Sequence, residues 1–138
     1  MQETNKITHL QMIQEIITRM GRNSFQLKGW AVGIMIAIFS FAGNQSNLKC
    51  ILFTVFPLIV IWFLDSYYLL LERKFRLLYD NIRIKDDKNI DFDMNYNSVK
   101  LQIGEHYKIS FLRVVISRTE ILFYLTCIIT TILIYIFA

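Results

Sequence analysis

The chain has 138 residues, of which 54% are hydrophobic and 19% charged, and its formal net charge is +4. A mean hydropathy of +0.40 indicates a protein with one membrane domain. The longest stretch outside the apolar runs, residues 72–118, is too short for a self-sufficient catalytic domain. The sequence contains no Cys/His cluster of the zinc type and no glycine-rich phosphate loop, so we expect neither an enzyme nor a cofactor.

The N-terminal region predicts two helical segments. Residues 4–22 form an amphipathic pattern, which is typical of a helix that lies on the membrane or packs on other helices. Residues 24–43 are the first candidate span, although their uncharged part begins only at Gly29. Lys28 can snorkel and Trp30 can lie in the interfacial belt, which favours a full span over a re-entrant segment.

A second span is predicted at residues 50–71, a long apolar run in which Asp65 is the only charge. Roughly 20 apolar residues cross the hydrocarbon core of a bilayer. The short loop before this run makes the first two spans an antiparallel hairpin. The helical pattern then continues without Gly or Pro to about residue 85, which predicts one helix running from the membrane into the cytosol.

The remaining sequence predicts a connection and a third span. Residues 86–98 form a polar linker, and residues 99–118 fit either a small hairpin or a cytosolic or interfacial helix that leads into the membrane. Residues 119–138 are a third span with Glu120 as its only charge. The expected fold class is therefore an all-α membrane protein with three transmembrane helices.

The distribution of lysine and arginine predicts the topology. Of the fifteen Lys and Arg residues, four precede the uncharged part of the first span, one (Lys49) lies in the first loop, and ten lie between Arg73 and Arg118. Because basic residues are retained on the cytoplasmic side, we expect the N-terminus inside and the C-terminus outside.

One face of the second predicted helix is a candidate lining for a pore. A carboxylate at the bilayer centre costs about 2.5–3.5 kcal/mol, so an intramembrane acid usually meets a partner charge or a hydrated path. In a symmetric oligomer, expected to be a tetramer, this face would place an apolar constriction above acidic rings, which select cations. The predicted ion path consists of Thr54, Ile61, Asp65, Tyr68 and Glu72.

The alternative for Asp65 is a structural ion pair with Lys28, which lies at about the same depth on the first span, and the two interpretations can coexist. The third span carries a milder polar stripe, in which helix packing is favoured over a pore lining. That stripe contains Glu120, Tyr124, Cys127, Thr131 and Tyr135.

The basic cytosolic segment suggests an anion or nucleotide site, since arginine binds phosphate in a bidentate manner and tyrosines offer stacking faces. The competing interpretation is that residues beside a membrane are basic because of topology and anionic lipid.

Three stretches carry a resemblance to a known family: NSFQLKGWAV (23–32), FPLIVIWFLDSYYLLLERKFRLLYD (56–80) and DFDM (91–94). They resemble small bacterial membrane proteins found beside anti-phage defence genes, and among these the channel component of the Hailong defence system. The resemblance implies an oligomeric channel that depolarises an infected cell. It also implies control from the cytosol by a nucleotide or oligonucleotide that a partner nucleotidyltransferase makes. Carried onto this chain, Asp65 and Glu72 would form the acidic path, and the anion contacts would be Arg73, Lys74, Arg76 and Arg83.

A rival function comes from another class of protein. A non-conducting anchor would hold a cytosolic partner at the membrane through residues 72–118, with Asp65 paired to Lys28 and no ion passing. A small transporter is a weaker third possibility, because the sequence contains no internal repeat.

Overall fold

The computed structural model describes residues 2–45, 49–86, 90–97 and 110–137 of the chain, and these contain helices and no strand. Three helical stretches are long and apolar enough to cross a membrane: Asn5–Ala42, Lys49–Ile84 and Arg118–Phe137. The prediction of an all-α membrane protein with three candidate spans is confirmed.

The first helix, α1 (Gln2–Gln45), runs without interruption through 44 residues. The two segments predicted at 4–22 and 24–43 are therefore parts of one helix. No proline interrupts the sequence between them, and Gly21 alone does not break a helix whose neighbours favour it. At 1.5 Å per residue α1 is about 66 Å long, which is about twice the thickness of a hydrocarbon core.

The second apolar run is divided near its start. Helix α2 (Lys49–Leu52) makes one turn, a turn follows at residues 53–54, and α3 extends over Val55–Ile84. The backbone N–H of Thr54 donates to the carbonyl of Ile51 at 3.0 Å and closes that turn. Pro57 lies in the first turn of α3, where a backbone N–H has no intrahelical acceptor, so the ring breaks no hydrogen bond.

Helices α1 and α3 lie antiparallel along most of their length. At one end of the pair, Lys6 Nζ donates to the carbonyl of Lys85 at 2.7 Å, and near the middle Lys28 meets Asp65. Between these points a first core cluster contains Ile13, Ile17, Leu78 and Ile82. A second core cluster lies further toward the C-terminal end of α1 and joins the two helices to α5 (Arg118–Phe137); it contains Leu27, Ala31, Met35, Leu58, Ile61, Tyr124 and Cys127.

Residues 90–97 dock on the first of these clusters, and we call this segment the strap. Its odd-numbered Asp and Asn side chains accept hydrogen bonds from backbone N–H groups two residues later, at 2.8 to 3.2 Å. Its even-numbered apolar side chains pack on the helices: Phe92 lies 5.3 Å from the ring of His9, Met94 joins the cluster, and Tyr96 meets Phe75 edge-on at 5.5 Å. The sequence prediction of a polar linker at 86–98 missed this docked segment.

We expect low pH to weaken the docking of the strap on α1 and α3. The backbone N–H of Asp93 donates to Asp91, which holds the pKa of the Asp91 carboxyl below its ordinary value, and Lys85 contributes in the same direction. A lowered pKa stabilises the docked state at neutral pH, and this contribution is lost as the pH falls through the lowered value. The protection factors of the strap amides, which compare the measured exchange with the intrinsic rate at the same pH, should therefore fall below about pH 4. The Asp91→Asn protein should exchange faster at neutral pH and show a weaker pH dependence; an unchanged acid response would contradict the role of Asp91.

The C-terminal part of the chain supplies two helices. The short helix α4 (Phe111–Val115) packs on α3, where the rings of Phe111 and Phe63 stack at 6.2 Å. Helix α5 follows and presents one buried face to the α1–α3 pair; the face contains Glu120, Tyr124, Cys127 and Thr131. The polar stripe predicted on the third span is thus a helix contact as far as Thr131, whereas Tyr135 is exposed. The choice between hairpin and helix for residues 99–109 lies outside the described residues.

Candidate functional site: a buried charged cluster

The three long helices meet around the ammonium group of Lys28. Lys28 lies beside the buried face of α1, which carries Ser24, Leu27 and Ala31. Its Nζ donates to Asp65 Oδ2 on α3, to Glu120 Oε1 on α5 at 2.9 Å, and to Ser24 Oγ on its own helix at 3.3 Å. One cation therefore links all three helices that can span a membrane.

Asp65 lies in the interior of the helix bundle that the chain forms. Its side chain has no exposed surface, and its Oδ2 atom accepts hydrogen bonds from Lys28 and from the phenol of Tyr124, the latter at 2.8 Å. The contact proposed from sequence as a structural ion pair is thus present. Asp65 consequently faces the helices of its own chain.

Glu120 and Tyr124 complete the cluster, and sequence reasoning did not connect them to Lys28. Glu120 is 1% exposed, and Tyr124, one turn later on α5, is fully buried. The Tyr124 ring stacks on Trp62 at 5.6 Å and meets Phe123 edge-on at 5.0 Å, which fixes the direction of its hydroxyl. The signal in the sequence was that the third span carries a single charge, placed near one end like Lys28 and Asp65.

The cluster holds more acid than base. Two carboxyl groups share one ammonium, and Asp65 Oδ1 and Glu120 Oε2 are buried without a hydrogen-bond partner among the described residues. A low-dielectric environment strengthens the satisfied contacts and makes each unpartnered oxygen costly. Such a group of ionisable side chains at membrane depth is a functional-site candidate.

The residues predicted to line an ion path do not share an exposed surface. Thr54, Ile61 and Asp65 are buried within the protomer, and Tyr68 and Glu72 are half-buried. Glu72 accepts two hydrogen bonds from Arg76, at 2.9 and 2.7 Å. The predicted stripe is therefore the face that α3 turns toward the other helices of the chain.

The four basic residues predicted to bind an anion fall into two groups. Arg76 and Arg83 are exposed and share one side of α3, and each has an acidic neighbour: Glu72 at 2.7 Å and Asp80 at 3.6 Å. Lys74 lies on another side, with its Nζ 4.8 Å from the ring centroid of Tyr96 in the strap. Arg73 is half-buried. An anion at Arg76 or Arg83 would compete with the carboxylates already there.

The outward face of α1 is a second candidate surface, which sequence reasoning missed. On the side opposite its buried residues, the membrane half of α1 exposes a row of small and polar side chains, which the exposed apolar side chains of Trp30 and Ile36 flank. We call this row the α1 stripe, and it contains Arg22, Gln26, Gly29, Gly33, Ala37 and Ser40. A Cβ atom added at Gly29 or Gly33 would meet no atom within 4 Å among the described residues. This face could have been found in the sequence, because its residues recur at intervals of three and four positions, which places them on one side of a helix.

Comparison of the chain with family models, with curated proteins and with solved structures finds no match. The three helices long and apolar enough to cross a membrane indicate a multi-pass membrane protein.

Proposed function

We propose that this protein is the subunit of an oligomeric ion channel, with a path formed where the α1 stripes of several copies meet. The observation that carries the proposal is the α1 stripe itself, because it is polar and small at a depth where an outward face that meets only lipid should be apolar.

An assembly around α1 accounts for both properties of the stripe. Gly29, Gly33 and Ala37 follow one another at intervals of four, and such small residues allow membrane helices to approach closely. Gln26 and Ser40 lie at the two ends of this segment, where hydrogen-bonding side chains would meet water in a shared path. Leucine or isoleucine at these positions would suit lipid better.

The buried cluster supports such an assembly from within each protomer. It ties α1 to α3 and α5 through Lys28, so the outward face of α1 is held at a fixed orientation. Because Asp65 is enclosed, we assign it to this support and place the conducting surface on α1. We propose that the assembly contains four subunits.

Control from the cytosolic side is the second part of the proposal. The paired helices α1 and α3 extend well beyond the length needed to span a bilayer, and Arg76 and Arg83 are exposed on this extension. Together with the resemblance described above, this supports a nucleotide or oligonucleotide ligand, a partner nucleotidyltransferase, an inner-membrane location and a role as effector in anti-phage defence.

Cysteine scanning of α1 tests the conducting surface. In a background with Cys50 and Cys127 replaced by alanine, Gln26→Cys and Ser40→Cys should each react with a membrane-impermeant thiol reagent. Their currents in planar bilayers should fall at least about fivefold, because the added group narrows a shared path.

Val32→Cys is the matched control, since Val32 lies on the same helix and is 40% exposed but lies beside the α1 stripe, about a quarter of a turn from its middle. We expect this variant to conduct as before after the reagent is added. Reaction at neither stripe position, or equal inhibition at all three, contradicts an ion path along α1.

A non-conducting anchor is the alternative function, and the closed Lys28–Asp65 contact favours it, because that contact leaves no hydrated acid within the protomer. The same bilayer experiment separates the two functions. An anchor gives no current above that of empty bilayers at any ligand concentration, and it retains a cytosolic partner through residues 72–118.

A further inference from the structure

The charge balance of the buried cluster points to a bound proton. Asp65 and Glu120 both contact the Nζ atom of Lys28, so the two contacting carboxyl oxygens are separated by no more than the sum of these two short contacts. With both acids ionised the cluster would carry a net charge of −1 in a region where Asp65 has no exposed surface and Glu120 almost none. Like charges at this separation cannot both be ionised at low cost.

The groups that face these carboxyls come from three helices. Helix α1 contributes Lys28 and Ser24, α3 contributes Asp65 itself, and α5 contributes Glu120 and Tyr124. Among the described residues, Lys28 is the only cation in contact with either acid. Glu72, the next acid along α3, pairs with Arg76 and leaves the balance unchanged.

We propose that the cluster is a proton-binding site, in which Glu120 is a neutral acid and Asp65 is the carboxylate that balances Lys28. The donors distinguish the two acids, because Asp65 accepts from both Lys28 and Tyr124, whereas Glu120 accepts only from Lys28. A proton on Glu120 Oε2 also supplies an O–H donor, and the unpartnered Asp65 Oδ1 is an acceptor in the same buried site. One proton therefore neutralises the excess charge and gives Glu120 Oε2 a hydrogen that it can donate.

The folded protein needs this proton because the cluster is buried between the membrane helices. Its loss would leave one uncompensated negative charge between α3 and α5, and the contact between these helices would weaken. The site lies within one protomer, so it holds its proton whether or not the assembled protein conducts ions.

Infrared spectroscopy of the full chain in lipid nanodiscs tests this assignment. At neutral pH we expect the carbonyl stretch of a protonated carboxylic acid, and this band should shift when the protein carries ¹³C-labelled glutamate. The band should disappear at alkaline pH, together with a fall in thermal stability. Measuring the unmodified protein avoids dependence on a variant that fails to fold.

Substitutions then locate the proton. Glu120→Gln mimics the neutral acid and should remove the band with little change in melting temperature. Asp65→Asn should also remove it, because Glu120 then becomes the only counterion of Lys28 and ionises. Glu72→Gln is the matched control and should leave the band in place. A band that is absent at neutral pH, that shifts only with labelled aspartate, or that disappears on adding sodium ions at constant pH overturns the proposal.

Discussion

Replacing Lys28 with methionine is expected to lower the free energy of unfolding by about 3–5 kcal/mol, the usual cost of removing one partner from a buried ion pair. The substitution keeps the length of the side chain and removes the donor shared by Asp65, Glu120 and Ser24. The Asp65 carboxylate would then lack its cation and would have to be protonated or hydrated, and Glu120 would lose its donor. Thermal or chemical unfolding in detergent micelles or nanodiscs measures the effect.

Two further proteins separate loss of charge balance from loss of packing. Lys49→Met makes the same change at an exposed lysine and should leave stability almost unchanged. The triple variant Lys28→Met/Asp65→Asn/Glu120→Gln replaces the ammonium and both carboxyl groups with uncharged side chains of similar shape, and it should recover most of the lost stability. If Lys28→Met is as stable as Lys49→Met, the cluster does not hold the three helices together.

The helical fold and the three candidate spans could be predicted from local sequence. Apolar runs near the length of a bilayer core identify membrane helices, and the three candidate spans follow from that rule. The extension of α3 to Ile84 follows from the absence of Gly and Pro after the apolar run. The depth of Lys28 and Asp65 along their helices was also sufficient to predict that the two could meet.

The partner of this pair on the third helix could not be predicted, because it depends on how α5 docks. Sequence spacing places Glu120 and Tyr124 on one face of a helix, but it does not say which helices that face contacts. For the same reason, the face of α3 that carries Asp65 fits a pore lining as well as the interior of a protomer. Only the packing of α1 and α5 against α3 distinguishes these two arrangements.

The strap illustrates a different limit of sequence reasoning. Its Asp and Asn residues indicate a polar linker when composition alone is considered. The alternation of these residues with Phe92, Met94 and Tyr96 is the more informative pattern, since it separates backbone-capping side chains from apolar ones. An alternating pattern in so short a segment also fits a strand or an irregular loop, and the surface it docks on is formed by residues far away in sequence.

Enlarging Gly33 is expected to abolish conduction without unfolding the protomer. A side chain at Gly33 would point into open space, with no atom within 4 Å of its Cβ among the described residues, so Gly33→Phe should fold normally. In an assembly around the α1 stripe, the same ring would prevent close approach of neighbouring helices or fill the path between them. We expect the current to fall at least about tenfold, and native mass spectrometry to show whether the subunits still assemble.

Val32→Phe is the matched control for this experiment, because it adds the same ring one residue earlier on an exposed side of α1 that lies off the stripe. Its current should stay within about twofold of the unmodified protein, since a phenylalanine that faces lipid disturbs neither packing nor the path. Equal currents for the two variants would show that the face of α1 carrying Gly33 meets lipid rather than another subunit. An assembled Gly33→Phe oligomer that does not conduct would instead place Gly33 at the narrowest part of the channel.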